Sequence, residues 1–151
     1  MRNALIIGGL ALLVGCNTTP KAYKGYHEAS KIKYVPEEAG ADYWQTAKET
    51  KELGTGDCED GAIYLKHLWD EDGVEGRVVV GWGSIIEMSS GMHAWNETDI
   101  NGETYIFDPS RQTVAPRNNI NGLRYIPLAN PQSLPSFRRS FTNYLERLEN
   151  E

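Results

Sequence analysis

The tightest constraint in the sequence is the stretch Gly54-Thr55-Gly56-Asp57-Cys58-Glu59-Asp60-Gly61-Ala62. Glycines precede the cysteine and a helical apolar pattern follows it. Ala62, Leu65 and Trp69 fall four, seven and eleven residues after Cys58, so all four share one helix face. Asp57 fits the N-cap, with Asp60 three residues on as an acidic capping-box partner. Cys58 is then the first residue of a helix, where unpaired N–H groups and the positive end of the dipole favour a thiolate. A thiolate attacks carbonyl carbon. A structural cysteine behaves as a small buried hydrophobe, and cores seldom place one in the polar first turn of a helix.

The chain has 151 residues, enough for one domain, and a formal charge of -6. That balance argues against nucleic acid as a partner, because phosphate binding needs a basic stripe. The start of the chain reads as a targeting segment. Met1-Arg2-Asn3 carries one positive charge, Ala4 to Val14 is an apolar run of eleven residues, and Leu13-Val14-Gly15-Cys16 has the form of a bacterial lipobox. Eleven residues are too few for a spanning helix, which needs about 20, and they suit a signal-peptide core. The expectation is a lipoprotein signal peptide over residues 1–15 and acylation of Cys16. A polar tether then runs to residue 33, and a domain over 34–151 is held at the cell envelope by its lipid. With Cys16 acylated, Cys58 is a lone thiol in an exported protein.

Along the domain, residues 42–53 read as a short helix and Cys58–Asp70 as the principal one, stopped by Asp72-Gly73. Val74–Trp82 is a valine-rich strand. Met92–Ile100 and Glu103–Asp108 form a hairpin around Asn101-Gly102, the strongest short signal for a two-residue turn. Residues 109–135 are irregular, although Leu123-Arg124-Tyr125-Ile126 can add a strand. Phe137, Phe141, Tyr144, Leu145 and Leu148 recur at helical spacing, so the chain ends in an amphipathic helix. Helix, antiparallel strands, helix is an α+β order.

A thiol nucleophile needs a base, and the base needs an orienting acceptor. His67 lies nine residues after Cys58, which at about 100° per residue puts it on the far side of the same helix. His27 sits in the tether. His93 remains, on the first arm of the hairpin. With Asn101-Gly102 as the turn, Ile100 faces Glu103, Trp95 faces Asp108 and His93 faces Ser110. His93, Trp95, Asp108 and Ser110 then project from one face. His93 and Asp108 are diagonal neighbours, roughly 7–8 Å apart at the backbone and within reach of a side-chain hydrogen bond. Slipping the register by one residue would send Asp108 to the other face.

Gly56-Asp57-Cys58-Glu59-Asp60, preceded by Asp42-Tyr43-Trp44-Gln45-Thr46, resembles the bacterial transglutaminase-like cysteine proteinases. That group includes calcium-dependent periplasmic proteases that release biofilm adhesins. His93-Ala94-Trp95 and Phe107-Asp108-Pro109-Ser110 resemble the general transglutaminase core. The resemblance covers about residues 42 to 110 and implies a papain-like fold. In that fold the nucleophile sits at a helix start, with His and Asp on adjacent strands. It implies Cys58 as nucleophile, His93 as base and Asp108 as orienter. The Cys58 backbone N–H is implied as one oxyanion donor, with a second from Tyr43, Trp44 or Gln45. It also implies Asp57, Glu59 and Asp60 as candidate calcium ligands, the start of a site that wants six to eight oxygens. Simple capping of the helix explains the same three carboxylates. No cysteine or histidine pair has zinc spacing, and the chemistry itself needs no cofactor.

These features add up to a lipid-anchored envelope cysteine peptidase or amidase, cutting amide bonds in a protein or peptide through a thioester. Remodelling of peptidoglycan peptides is an alternative that uses the same chemistry. A non-catalytic envelope binding module on this fold is the alternative from another class.

Overall fold

In the computed structural model the described residues are 18–38, 42–85, 91–118, 123–129 and 135–150. The expected signal peptide and the lipidated Cys16 lie outside them. Among the described residues, no helix is long and apolar enough to cross a membrane.

The helix that begins at the cysteine organises the fold. This helix, Cys58–Asp72, ends on Gly73 at φ 69°, a left-handed cap that suits glycine. It is the third helix, α3, after α1 (Thr18–Ala29) and α2 (Ala47–Leu53). The strands are β1 (Lys33–Tyr34), β2 (Thr55–Gly56), β3 (Gly76–Ile85), β4 (Gly91–Ile100), β5 (Glu103–Asp108), β6 (Thr113–Pro116) and β7 (Leu123–Pro127). A final helix, α4, spans Pro135–Leu148. β1 and β2 form a small parallel pair, and the other five make an antiparallel sheet in the order β6-β5-β4-β3-β7. This is the α+β architecture expected from the sequence, with the helix bearing the cysteine packed on the sheet.

The hairpin register is the one the Asn101-Gly102 turn predicts. Ile100 pairs with Glu103 and Asn96 with Phe107, while Asn101 and Gly102 both take positive φ, 54° and 82°. Alternation then sorts β4 between two faces. Ala94, Asn96 and Ile100 face α3, where the Asn96 Nδ2–H donates to the Ala62 carbonyl at 2.9 Å. Trp95 goes the other way and packs with Val79, Ile106 and Tyr125.

Residues 18–29, expected as part of a polar tether, are instead a helix docked into the core. Ala22 and Ala29 join Leu65, Trp69, Val74 and Phe107 in the principal cluster. The reason is a stripe of small residues. Gly25 lets the Trp69 ring approach so closely that a Cβ there would lie 2.9 Å from its Cδ1. The Trp69 Nε1–H donates to the Ala22 carbonyl at 3.1 Å. A search for large aliphatics misses such a helix, because its contribution is close approach rather than bulk. Phe107 closes the cluster, with Tyr23, Tyr26 and Trp69 edge-on around it at 5.2–5.7 Å. α1 thus clamps the residue just before Asp108.

Other boundaries shift modestly. α2 begins at Ala47 rather than near Asp42, because Thr46 caps it: its hydroxyl accepts the Glu49 N–H while Glu49 accepts the Thr46 N–H. Residues 42–46 form neither helix nor strand, and the Thr46 backbone is extended. β6 was not legible within the irregular region, whereas β7 includes the possible strand Leu123–Ile126.

Placing a carboxylate against Trp69 tests the docking of α1. Ala22→Glu buries an unpaired charge and should cost more than about 3 kcal/mol in urea unfolding. A variant as stable as wild type would return residues 18–29 to an undocked tether.

Candidate active site

Three segments converge on a cleft of about 330 Å³. The start of α3 supplies Asp57, Cys58 and Glu59; β4 supplies Met92, His93 and Ala94; ahead of α2, Tyr34 and Glu37 come from 34–38 and Asp42 and Trp44 from a strap over 42–44. The strap is held from behind by α4. The Ser140 hydroxyl donates to Asp42 Oδ2 at 2.5 Å, Arg147 donates to the Trp44 carbonyl, and Phe141 lies edge-on to Trp44.

Asp108 is fully buried. The diagonal contact read from the hairpin is present: His93 Nε2 lies 2.6 Å from Asp108 Oδ2. Three more donors surround the carboxylate. The Tyr125 hydroxyl donates to Oδ2 at 2.7 Å, and the Ser110 hydroxyl and Arg111 N–H donate to Oδ1 at 2.8 and 3.0 Å. Burial pushes this acid upward, but the hydrogen bond and charge of His93, with the bonds from Tyr125 and Ser110, outweigh it and hold the carboxyl below its usual range. An ionised Asp108 only accepts, so the proton between the two residues sits on Nε2 and leaves Nδ1 as the imidazole's base. Trp95 stacks near the ring at 6.2 Å. Gly83 makes room for it, since a Cβ there would lie 2.9 Å from the His93 Cβ and 2.7 Å from an Arg111 nitrogen.

Cys58 is a free, half-buried thiol. It faces the same cleft as His93, but its hydrogen goes to Glu59 Oε2, 3.0 Å away. The thiolate favoured by the helix start is not the form this arrangement stabilises. Burial pushes the thiol up, then the Glu59 charge, and the Ala94 N–H acts only weakly in the opposite sense. The dipole is outweighed by a carboxylate in contact with the sulfur.

The acidic groups divide into two kinds. Asp60 is structural: its Oδ1 accepts the Gln45 N–H at 2.7 Å and its Oδ2 the Asp57 N–H at 3.1 Å. Both oxygens cap backbone, as the capping box read from the sequence expects, and Asp60 lies outside the groups of potential metal ligands found among the described residues. Asp57 and Glu59 do face the cleft, joined by Glu37 and Asp42, which sequence spacing did not suggest. Oxygens of Glu37, Asp42 and Glu59 all lie within 4.8 Å of one another, as do the ligating atoms of Asp57, Cys58 and Glu59. Among the described residues, no lysine or arginine forms an ion pair with these four acids. Burial and the neighbouring Glu59 push Asp57 up to about 8, and its Oδ1 is buried without a partner. The all-oxygen set Glu37, Asp42 and Glu59 fits a hard divalent cation, and the orphaned Asp57 oxygen sits in the adjoining set that shares Glu59.

The oxyanion candidates separate as well. The Tyr43 hydroxyl donates to Glu49 at 2.7 Å and its ring lies under Arg147. The Gln45 N–H caps Asp60. Trp44 alone of the three lines the cleft, with its Nε1–H donated to Asp42 Oδ1 at 2.9 Å. His67 is exposed and 3.5 Å from Glu71, and His27 is exposed on α1. Tyr125 was missed because it enters the site from β7, which reaches β4 only through the intervening β3.

No protein-family model matches this sequence, and no curated protein does. Among solved structures, Legionella pneumophila LapG is similar, at 17% identity and a TM-score of 0.62 over 83% of this chain and 78% of LapG. Its calcium-bound form matches with a TM-score of 0.58, over 83% of this chain and 80% of that one. A candidate cysteine protease from Cytophaga hutchinsonii matches at 22% identity and a TM-score of 0.50, over 73% of this chain and 34% of that one. The chain therefore shares the transglutaminase-like, papain-like fold that its motifs resemble.

Removing one donor from Asp108 has a signed consequence. The folded state holds this acid below its ordinary pKa, so its contribution is present at neutral pH and lost as pH falls through the folded value. Tyr125→Phe should cost about 1–2 kcal/mol at neutral pH and start acid unfolding at a higher pH. An unchanged acid limb would mean that the hydroxyl does not hold the carboxylate.

Proposed function

We propose that this protein is a cysteine peptidase or amidase that cleaves amide bonds in a protein or peptide of the cell envelope. The observation that carries the reading is the 2.6 Å contact between His93 and the buried Asp108, on the cleft that Cys58 also lines. Cys58 Sγ gives its proton to His93 Nδ1 and attacks the carbonyl carbon of the scissile amide. Asp108, accepting from Nε2–H, keeps the ring in the tautomer that can take that proton and stabilises the imidazolium that results. The tetrahedral oxyanion meets the Cys58 backbone N–H at the start of α3; of the three expected second donors only Trp44 lines the cleft, and its Nε1–H would have to leave Asp42 Oδ1 to serve. Collapse breaks the C–N bond. The amine leaves with the proton returned from His93, and the acyl group stays on sulfur as a thioester. Water, deprotonated by the same imidazole, hydrolyses it.

Glu37, Asp42, Asp57 and Glu59 are the residues that would hold calcium, a reading supported by the calcium-bound state of LapG. The cation would supply positive charge next to a thiol that Glu59 otherwise keeps protonated. The chain's own part is to present four carboxylates to one space, two of them flanking the nucleophile. Export and attachment through an acylated Cys16 complete the proposal, resting on the lipobox Leu13-Val14-Gly15-Cys16.

Alkylation by iodoacetamide tests the chemistry. Modification should be confined to Cys58 in the mature domain, vanish in Cys58→Ala and fall by about 100-fold in His93→Ala. Equal alkylation of wild type and His93→Ala would contradict the mechanism. For the metal, excess calcium should raise the unfolding free energy by about 2–3 kcal/mol over the chelated protein at roughly 100 times the dissociation constant, and Glu59→Gln should abolish the difference. Identical melting with calcium and with chelator would remove the cation. For the anchor, palmitate labelling and membrane recovery should both be lost in Cys16→Ser; a variant that still partitions with membranes would remove the lipid.

A further inference from the structure

A row of large apolar side chains on the sheet stays open to solvent. On β3, Trp82 lies directly opposite Met92 of β4 on one side and opposite Ile126 of β7 on the other. Directly opposed residues project together, so the three side chains form a row across three neighbouring strands. All three are open to solvent, Trp82 at 46%, Met92 at 43% and Ile126 at 55%. The row is on the cleft side of the sheet. Val80, two residues before Trp82, lines the cleft with Cys58, and so does Met92 itself. Exposed apolar residues scattered singly mean little, but a contiguous strip that continues a cleft is the usual form of a binding surface.

We infer that Met92, Trp82 and Ile126 dock an apolar side chain of the substrate, flanking the amide presented to Cys58. This rests on the hydrolase reading and adds its specificity: an extended peptide segment with a large aliphatic or aromatic residue close to the scissile bond. Two arguments favour a substrate over a second copy of the chain. The strip runs into the catalytic cleft without a break, through Met92. It also offers only a few hundred Å² of apolar surface, well short of the 1,200–2,000 Å² total typical of a stable interface but enough for one or two side chains of a peptide.

Docking can be read without turnover. In the Cys58→Ala protein, the methyl resonances of Met92 and Ile126 report on the strip directly. The probes are an acetylated, amidated Ser-Gly hexapeptide and its six single-Phe variants. At least one Phe variant should shift both methyls with an affinity about tenfold above the parent, a difference of about 1.4 kcal/mol. Trp82→Ser should lose that gain and Trp82→Phe should keep it. No methyl response to any Phe variant would overturn the inference, as would an equal response in Trp82→Ser. Methyl shifts that follow protein concentration alone would give the strip to a second copy and overturn it too. The two readings fail separately. Peptide docking with alkylation of Cys58 indifferent to His93 sinks the hydrolase and leaves the surface, whereas His93-dependent alkylation with silent methyls does the reverse.

Discussion

A carboxylate with no exposure to solvent must have its lone pairs satisfied from within the protein, and Asp108 draws those donors from separate parts of the chain. His93 reaches it from β4, Tyr125 from β7, and Ser110 and the Arg111 amide from the turn after β5. Each bond fixes a different degree of freedom. The β4 partner sets the hairpin register, the β7 partner ties a strand three positions away, and the turn partners stop β5 at a defined residue. Phe107, one residue earlier, is clamped by α1 and α3 through three edge-on rings. The aromatic core on one face of the sheet therefore aims the carboxylate on the other. A functional group held this way costs the fold little in stability and gains a narrow range of positions.

The other end of the site works in the opposite sense. Asp108 is oversupplied with donors, whereas Glu37, Asp42, Asp57 and Glu59 crowd together with no cationic side chain among the described residues to offset them. The consequence reaches Cys58, whose thiol hydrogen goes to Glu59. On the proposed mechanism this would be a resting arrangement, with His93 already engaged by Asp108. Neutralising the carboxylates would then free the thiol to turn toward His93.

Much of this arrangement was legible in the sequence because it is local. The start of α3 follows from a cap, a glycine pair and apolar spacing. The His93–Asp108 contact follows from one two-residue turn and the alternation of strands. What stayed hidden depends on close approach or on distant pairing. α1 carries small residues where a core helix is expected to carry large ones, and only the Trp69 ring explains why. Tyr125 needed the strand order, which no short window encodes. Asp42 comes from a strap that α4 pins in place more than ninety residues later, and Glu37 is held by the Tyr43 N–H. Asp60 was legible as a local feature too: it closes the capping box that the spacing from Asp57 predicts.

The central claim is that Asp108 holds His93 by Nε2 and leaves Nδ1 as the base. Proton and nitrogen NMR of the imidazole tests it most directly. The account predicts a low-field Nε2 proton coupled to a protonated nitrogen, an Nδ1 shift typical of an unprotonated ring nitrogen near neutral pH, and loss of the low-field proton in Asp108→Asn. A proton found on Nδ1, or a low-field signal that survives Asp108→Asn, would contradict it.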